Sequence, residues 1–176
     1  MSRRIILLRA VNVGGTARLP MAQWRSLAES LGATEVTSYL ASGNLLCTPP
    51  GPHMDFDRTL QDAVQARFGF FREVISRSGE EVSAALAGHP FEEIDPRFSH
   101  ISFLHSAPEA EAVAAAARLE TGQDRWQVIG REMHLRYANG AGSAQMKEAA
   151  ITRSLGVTGT ARNLNTVRKL IELAGN

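Results

Sequence analysis

The order in which short apolar runs alternate with amphipathic stretches constrains this chain most. Ile5-Ile6-Leu7-Leu8 is short and continuously apolar, so residues 5–9 read as a buried strand. Met21, Trp24, Leu27, Ala28 and Leu31 then recur at helical spacing behind Pro20, and Gly32 stops that helix. Residues 36–40 and 45–48 flank a turn at Ala41-Ser42-Gly43-Asn44 and predict a hairpin. Phe56, Leu60, Val64 and Phe68 stripe a second helix ending at Gly69, and residues 71–77 read as a strand. The sum is β-α-β-β-α-β, the split, ferredoxin-like pattern. Ser78 and Glu81 have capping-box spacing and open a short helix to about residue 88.

After a polar, proline-punctuated stretch at residues 89–97 the pattern restarts. Residues 99–105 predict a strand with Ile101 and Phe103 on one face. Ser106 and Glu109 suggest a second capping box, before an alanine-rich helix through about residue 119. Residues 125–129 and 132–137 pair around Gly130-Arg131, with Met133, Leu135 and Tyr137 on one face and His134 and Arg136 on the other. A helix runs to about residue 155. Thr160 then reads as the N-cap of a last helix striped by Leu164, Val167, Leu170, Ile171 and Ala174. The expected fold is therefore α+β. A ferredoxin-like subdomain spans residues 1–88. A second α+β subdomain spans residues 97–176, a degenerate β-α-β-β unit followed by two C-terminal helices.

A chain of 176 residues is long enough to bury a core without staples. Its single cysteine, Cys47, rules out an internal disulfide and fits a reducing compartment. The apolar start is too short for an export signal or a membrane span, so a cytoplasmic location and no membrane partner are expected. Net charge is only +1, but its distribution is uneven. Residues 1–32 hold five arginines and one glutamate, and residues 140–176 hold five basic and two acidic residues. Both ends can contribute a local positive field.

Three polar stretches stand out from the apolar stripes. Arg9 to Gly15 supplies a cation, the Asn12 amide and the backbone N–H groups of Gly14 and Gly15, which suits an anion. It lacks the Gly-Lys-Ser/Thr of a Walker loop and the Gly-x-Gly-x-x-Gly of a dinucleotide site. Ser42-Gly43-Asn44 belongs to a turn that split β-α-β topology places at the same end of the sheet as that loop. Thr160 to Thr166 joins Arg162, Asn163, Asn165 and Thr166 to a helix start, where unpaired N–H groups favour anions. The five histidines show no zinc-binding spacing, and no cofactor or metal is implied. Strands one and three lack exposed aromatics, which argues against a standard RNA-recognition sheet.

Taken together, Leu7-Leu8-Arg9-Ala10-Val11-Asn12-Val13-Gly14-Gly15, Ser38-Tyr39-Leu40-Ala41-Ser42-Gly43-Asn44 and Thr160-Ala161-Arg162-Asn163-Leu164-Asn165-Thr166-Val167 resemble one family. It is the uncharacterised bacterial family called domain of unknown function sixteen-ninety-seven. The resemblance implies an α+β fold with a ferredoxin-like N-terminal part and no established activity. Ala10 stands where that family usually has glycine, Leu164 where it often has tryptophan, and Ala144 where it often has lysine.

The residues point first to a binding module for a phosphate- or carboxylate-bearing ligand, such as a nucleotide or nucleic acid. Arg9, Asn12, Gly14 and Gly15 would form one wall with Ser42 and Asn44 beside them. Arg162, Asn163, Asn165 and Thr166 would form the other. An enzyme using the same cleft is the alternative, weakened by the absence of a histidine or carboxylate in the three motifs. A third possibility is that the motifs are structural, capping backbone groups.

Overall fold

A computed structural model describes residues 2–175. The chain divides into two compact units, one of Met1–Ser83 with Leu170–Asn176 and one of Ala84–Lys169. Each is built around a four-stranded antiparallel sheet, and six α-helices are assigned among the described residues. No helix among them is long and apolar enough to cross a membrane.

The first unit contains β1 (Arg4–Leu8), α1 (Met21–Ser30), β2 (Thr34–Tyr39), β3 (Asn44–Thr48), α2 (His53–Phe68), β4 (Val74–Ser78) and the start of α3 (Gly79–Ala87). Strand order is β2-β3-β1-β4. Every residue of β1 is buried, Arg4 included, and its apolar run of residues 5–8 suits a strand covered on both faces. Ile6, Leu8, Leu45 and Cys47 face Trp24, Leu27 and Ala28 of α1 and Phe56, Leu60 and Val64 of α2 to form one core. The apolar residues that striped the sequence at helical spacing are those that pack here. The Ser78–Glu81 capping box is formed: the Glu81 N–H donates to Ser78 Oγ at 3.0 Å, and the Ser78 N–H donates to Glu81 Oε2 at 2.7 Å. Near the other end of the chain, the Arg3 guanidinium donates to the Leu173 carbonyl.

The second unit contains β5 (Ser99–Leu104), α4 (Ala110–Ala116), β6 (Arg125–Ile129), β7 (Glu132–Arg136), a 3-10 turn (Ala141–Ser143), α5 (Glu148–Leu155), β8 (Gly159–Asn163) and the start of α6 (Leu164–Ala174). Its sheet order is β6-β7-β5-β8, the same relation of strands as in the first unit. Leu104, Met133, Leu135 and Tyr137 pack with Ala116, Met146, Ile151 and Leu155.

Three expectations are corrected. Residues 160–163 are not the opening of a helix but strand β8, paired with β5 from His100↔Asn163 to Leu104↔Gly159. The second unit therefore has a fourth strand and is not a degenerate β-α-β-β. Thr160 and Arg162 are buried while Ala161 and Asn163 are half-buried, a period-two pattern written in polar residues rather than in an apolar run. The second capping box does not form. Glu109 is itself the N-cap, in extended conformation and without a side-chain cap bond. Pro108 holds Ala107 away from helical dihedrals, so Ser106 cannot start the helix. Finally, β4 begins at Val74, which leaves residues 71–73 in a loop.

Asp124 ties the second unit's loops together. It is 1% exposed and accepts from the Ala138 N–H (2.9 Å), the Gln145 N–H (2.6 Å) and the Met146 N–H (2.9 Å). Asp124→Ala leaves three backbone donors without an acceptor. It is expected to lower stability by about 3 kcal/mol or more, as an unpaired buried donor costs ~1–3 kcal/mol. Urea unfolding of the variant checks this; an unchanged midpoint would refute the role.

Candidate functional site

Three loops meet at one end of the first unit's sheet. They are residues 9–20 after β1, residues 40–43 between β2 and β3, and residues 69–73 before β4. The register requires this, since Leu7 pairs with Asn44 and Leu8 with Val74. Hydrogen bonds stitch them into one surface. The Leu8 N–H donates to the Gly43 carbonyl at 2.9 Å, and the Arg9 N–H to the Glu73 carbonyl at 3.2 Å. Arg72 Nε donates to the Ala10 carbonyl at 3.2 Å.

Asn12 is the central clamp. Its Nδ2 donates to the Leu19 carbonyl (2.9 Å) and the Ala41 carbonyl (2.7 Å), while its Oδ1 accepts from the Leu19 N–H (2.8 Å). Both ends of the amide are thus spent on the fold. Gly43 is required where it stands: with φ +85°, an added Cβ would lie 2.8 Å from the Leu8 carbonyl oxygen and from Val11 Cγ2. Asn44 is fully buried, and its Nδ2 donates to the Tyr39 carbonyl (2.8 Å) and to Ser42 Oγ (3.1 Å). Asn12 and Asn44 therefore shape the loops, and what remains outward is different.

Gly14 and Gly15 are exposed, with φ +62° and +76°, and their N–H groups meet no acceptor among the described residues. The Arg9 side chain is 40% exposed and lies 3.4 Å from Glu73. Arg18 is exposed and has no partner among the described residues. The Ser42 hydroxyl lies on the exposed turn.

The other sequence-marked residues lie in the second unit. Arg162 is 8% exposed, and burial pulls its guanidinium down to about 10. Its Nη1 donates to Thr160 Oγ1 (2.6 Å) and to the Ala161 carbonyl (2.8 Å). Asn163 Oδ1 accepts the Thr166 N–H at 2.9 Å at the start of α6. Asn163, not Thr160, thus makes the capping bond. Thr166 is buried and Asn165 is exposed. Leu164 is 1% exposed and occupies a core position.

Several buried groups carried no sequence signal. His134, expected to face away from the core, is 1% exposed and meets His89 with Nδ1···Nδ1 at 3.1 Å. Burial, and then the neighbouring His89, push His134 down to about 4. Burial does the same to His100, whose ring stands edge-on to Tyr137 at 5.3 Å. Cys47 is fully buried, and burial raises its thiol to about 12, which removes it as a nucleophile at neutral pH. Two pockets of about 290 and 280 Å³ lie in the second unit, and neither is lined by a residue of the three motifs. No group of three potential metal ligands occurs among the described residues.

The family described as "Protein of unknown function (DUF1697)" matches over residues 1–134. The solved structure of conserved bacterial protein SP0830 from Streptococcus pneumoniae is similar in fold, with a TM-score of 0.72. It is 20% identical, and the match covers 98% of each chain. No curated protein matches the sequence.

Two outcomes follow from this geometry. Ala10 sits at φ +49°, where glycine costs nothing and a Cβ is strained. Ala10→Gly is expected to raise stability by about 1 kcal/mol in urea unfolding; a loss would mean that the position is unstrained. His100 and His134 bind protons less readily folded than unfolded. Between about pH 6.5 and pH 4 the unfolded chain takes up protons that the folded chain refuses. Their contribution to stability therefore falls as pH is lowered through that window. Asp57 and Glu148, raised mainly by burial, act in the opposite sense, so the check is comparative. The acid loss should be shallower in His100→Phe than in the parent chain.

Proposed function

The chain belongs to the DUF1697 family, and from that premise we propose that it is a binding module for a phosphate-bearing anion seated on the three-loop end of its first unit. The observation that carries this reading is the pair of exposed, positive-φ glycines, Gly14 and Gly15. Their N–H groups point to no acceptor among the described residues, in a loop that also bears Arg9 and Arg18. Successive free backbone N–H groups make an anion-binding concavity, and a guanidinium adds a forked, always-charged donor. Ser42 supplies a hydroxyl from the adjoining turn, which the Asn12–Ala41 bond holds in place.

In this reading Arg162, Asn163 and Thr166 serve the β8–α6 junction rather than the ligand, and Asn12 and Asn44 act by holding the loops. The only carboxylate on the three loops, Glu73, is engaged with Arg9. The surface thus offers groups for binding rather than a general base. The finer architectural reading, that the first unit is a ferredoxin-like split β-α-β, is supported by its strand order β2-β3-β1-β4, which the second unit repeats. A cytoplasmic setting is supported by the lone, buried Cys47.

Titration with inorganic pyrophosphate tests the proposal. The backbone amide resonances of Gly14 and Gly15 should shift saturably. Arg9→Ala combined with Arg18→Ala should weaken binding about tenfold or more, since each charge-assisted bond is worth ~1.5–3 kcal/mol. Absence of any shift at millimolar pyrophosphate would overturn it.

A further inference from the structure

The same loop end carries a feature that a small anion does not need. Residues 67–72 read Arg-Phe-Gly-Phe-Phe-Arg. The rings of Phe68 and Phe70 are stacked, with centroids 6.1 Å apart and planes 28° from parallel. The Arg67 guanidinium lies 5.8 Å from the Phe68 centroid, and that of Arg72 lies 5.6 Å from the Phe70 centroid. These contacts hold the two half-buried rings, which pack on the first unit's core, between two arginines. Phe71 sits between Phe70 and Arg72 in sequence and is 47% exposed. Each of the other two loops also presents one large exposed apolar side chain, Val13 at 61% and Leu40 at 53%. Four arginines, Arg9, Arg18, Arg67 and Arg72, stand against one glutamate, Glu73.

We propose that this surface binds single-stranded nucleic acid, with a base stacked on the exposed Phe71 and phosphates held by Arg9, Arg18, Arg67, Arg72 and the Gly14-Gly15 N–H groups. The proposal rests on the anion-binding reading above and names the ligand class for that site. An exposed ring, Phe71, set among arginines is what an unpaired base requires, because every base offers a π-face and every linkage a charge. An acidic peptide would use the charges and leave Phe71 idle. A duplex keeps its bases inside the stack and could use only the charges. The strands of the first sheet, β1 and β3, carry no aromatic residue, so the stacking ring sits on the loop end and not on a sheet face.

Fluorescence anisotropy with a labelled oligouridylate, an oligothymidylate, a duplex of equal length and an oligoglutamate peptide tests this, run beside the pyrophosphate titration. Saturable binding of the single strands is expected, with a log–log salt slope of about −3 for four phosphate contacts. Phe71→Ala, a change at an exposed position, should weaken oligonucleotide binding about tenfold and leave pyrophosphate binding unchanged. Arg18→Ala should weaken both. If pyrophosphate binds but oligonucleotides do not, the nucleic-acid assignment falls and the anion site stands. If neither binds, both fall. Equal binding of duplex or oligoglutamate, or indifference to Phe71→Ala, also overturns the assignment.

Discussion

Each sheet is built outward from its first strand, and that pairing is the constraint on which the rest depends. β1 receives β3 on one edge and β4 on the other, and β5 receives β7 and β8 in the same way. A strand that is central by both edges exposes no backbone donors or acceptors of its own, so it can be wholly apolar. Ile5 to Leu8 meets that demand, and Ile101, Phe103 and Leu104 meet it in the second unit. Because all of β1's partners run antiparallel to it, the loop that follows it must share an end with the β2–β3 turn and with the start of β4. The three-loop surface is a consequence of strand order before it is a consequence of any loop residue.

Much of this was legible in the sequence where burial is written as periodicity. Trp24, Leu27 and Ala28, or Phe56, Leu60 and Val64, repeat at helical spacing and pack as that spacing demands. The adjacency of the Arg9–Gly15 loop and the Ser42–Asn44 turn followed from strand direction and is realised in the Asn12 clamp. β8 was not legible because its buried positions are the polar Thr160 and Arg162, so its burial leaves no apolar pattern to read. Ser106 and Glu109 illustrate the opposite failure. Their spacing is that of the capping box formed by Ser78 and Glu81, but an intervening proline forbids the helical turn that spacing presupposes.

The asparagines show why a polar motif alone does not announce a binding site. Asn12, Asn44 and Asn163 each looked like ligand groups, yet each has its amide engaged by backbone atoms. An amide offers donor and acceptor together, and a loop full of unpaired backbone groups is the first claimant on both. What such a clamp leaves outward is the glycine N–H groups and the arginine forks, which no neighbouring side chain can copy. The division of labour is between residues that make the loops rigid and residues that face water.

The first unit also includes residues 170–176, with Leu173 accepting a bond from Arg3. A ribosome delivers those residues only after every residue of the second unit has emerged. The first unit can form its sheet and helices during synthesis, but its contacts with the segment from Leu170 onward wait until the second unit has been made. Loss of those residues would therefore damage the unit that is synthesised before its neighbour.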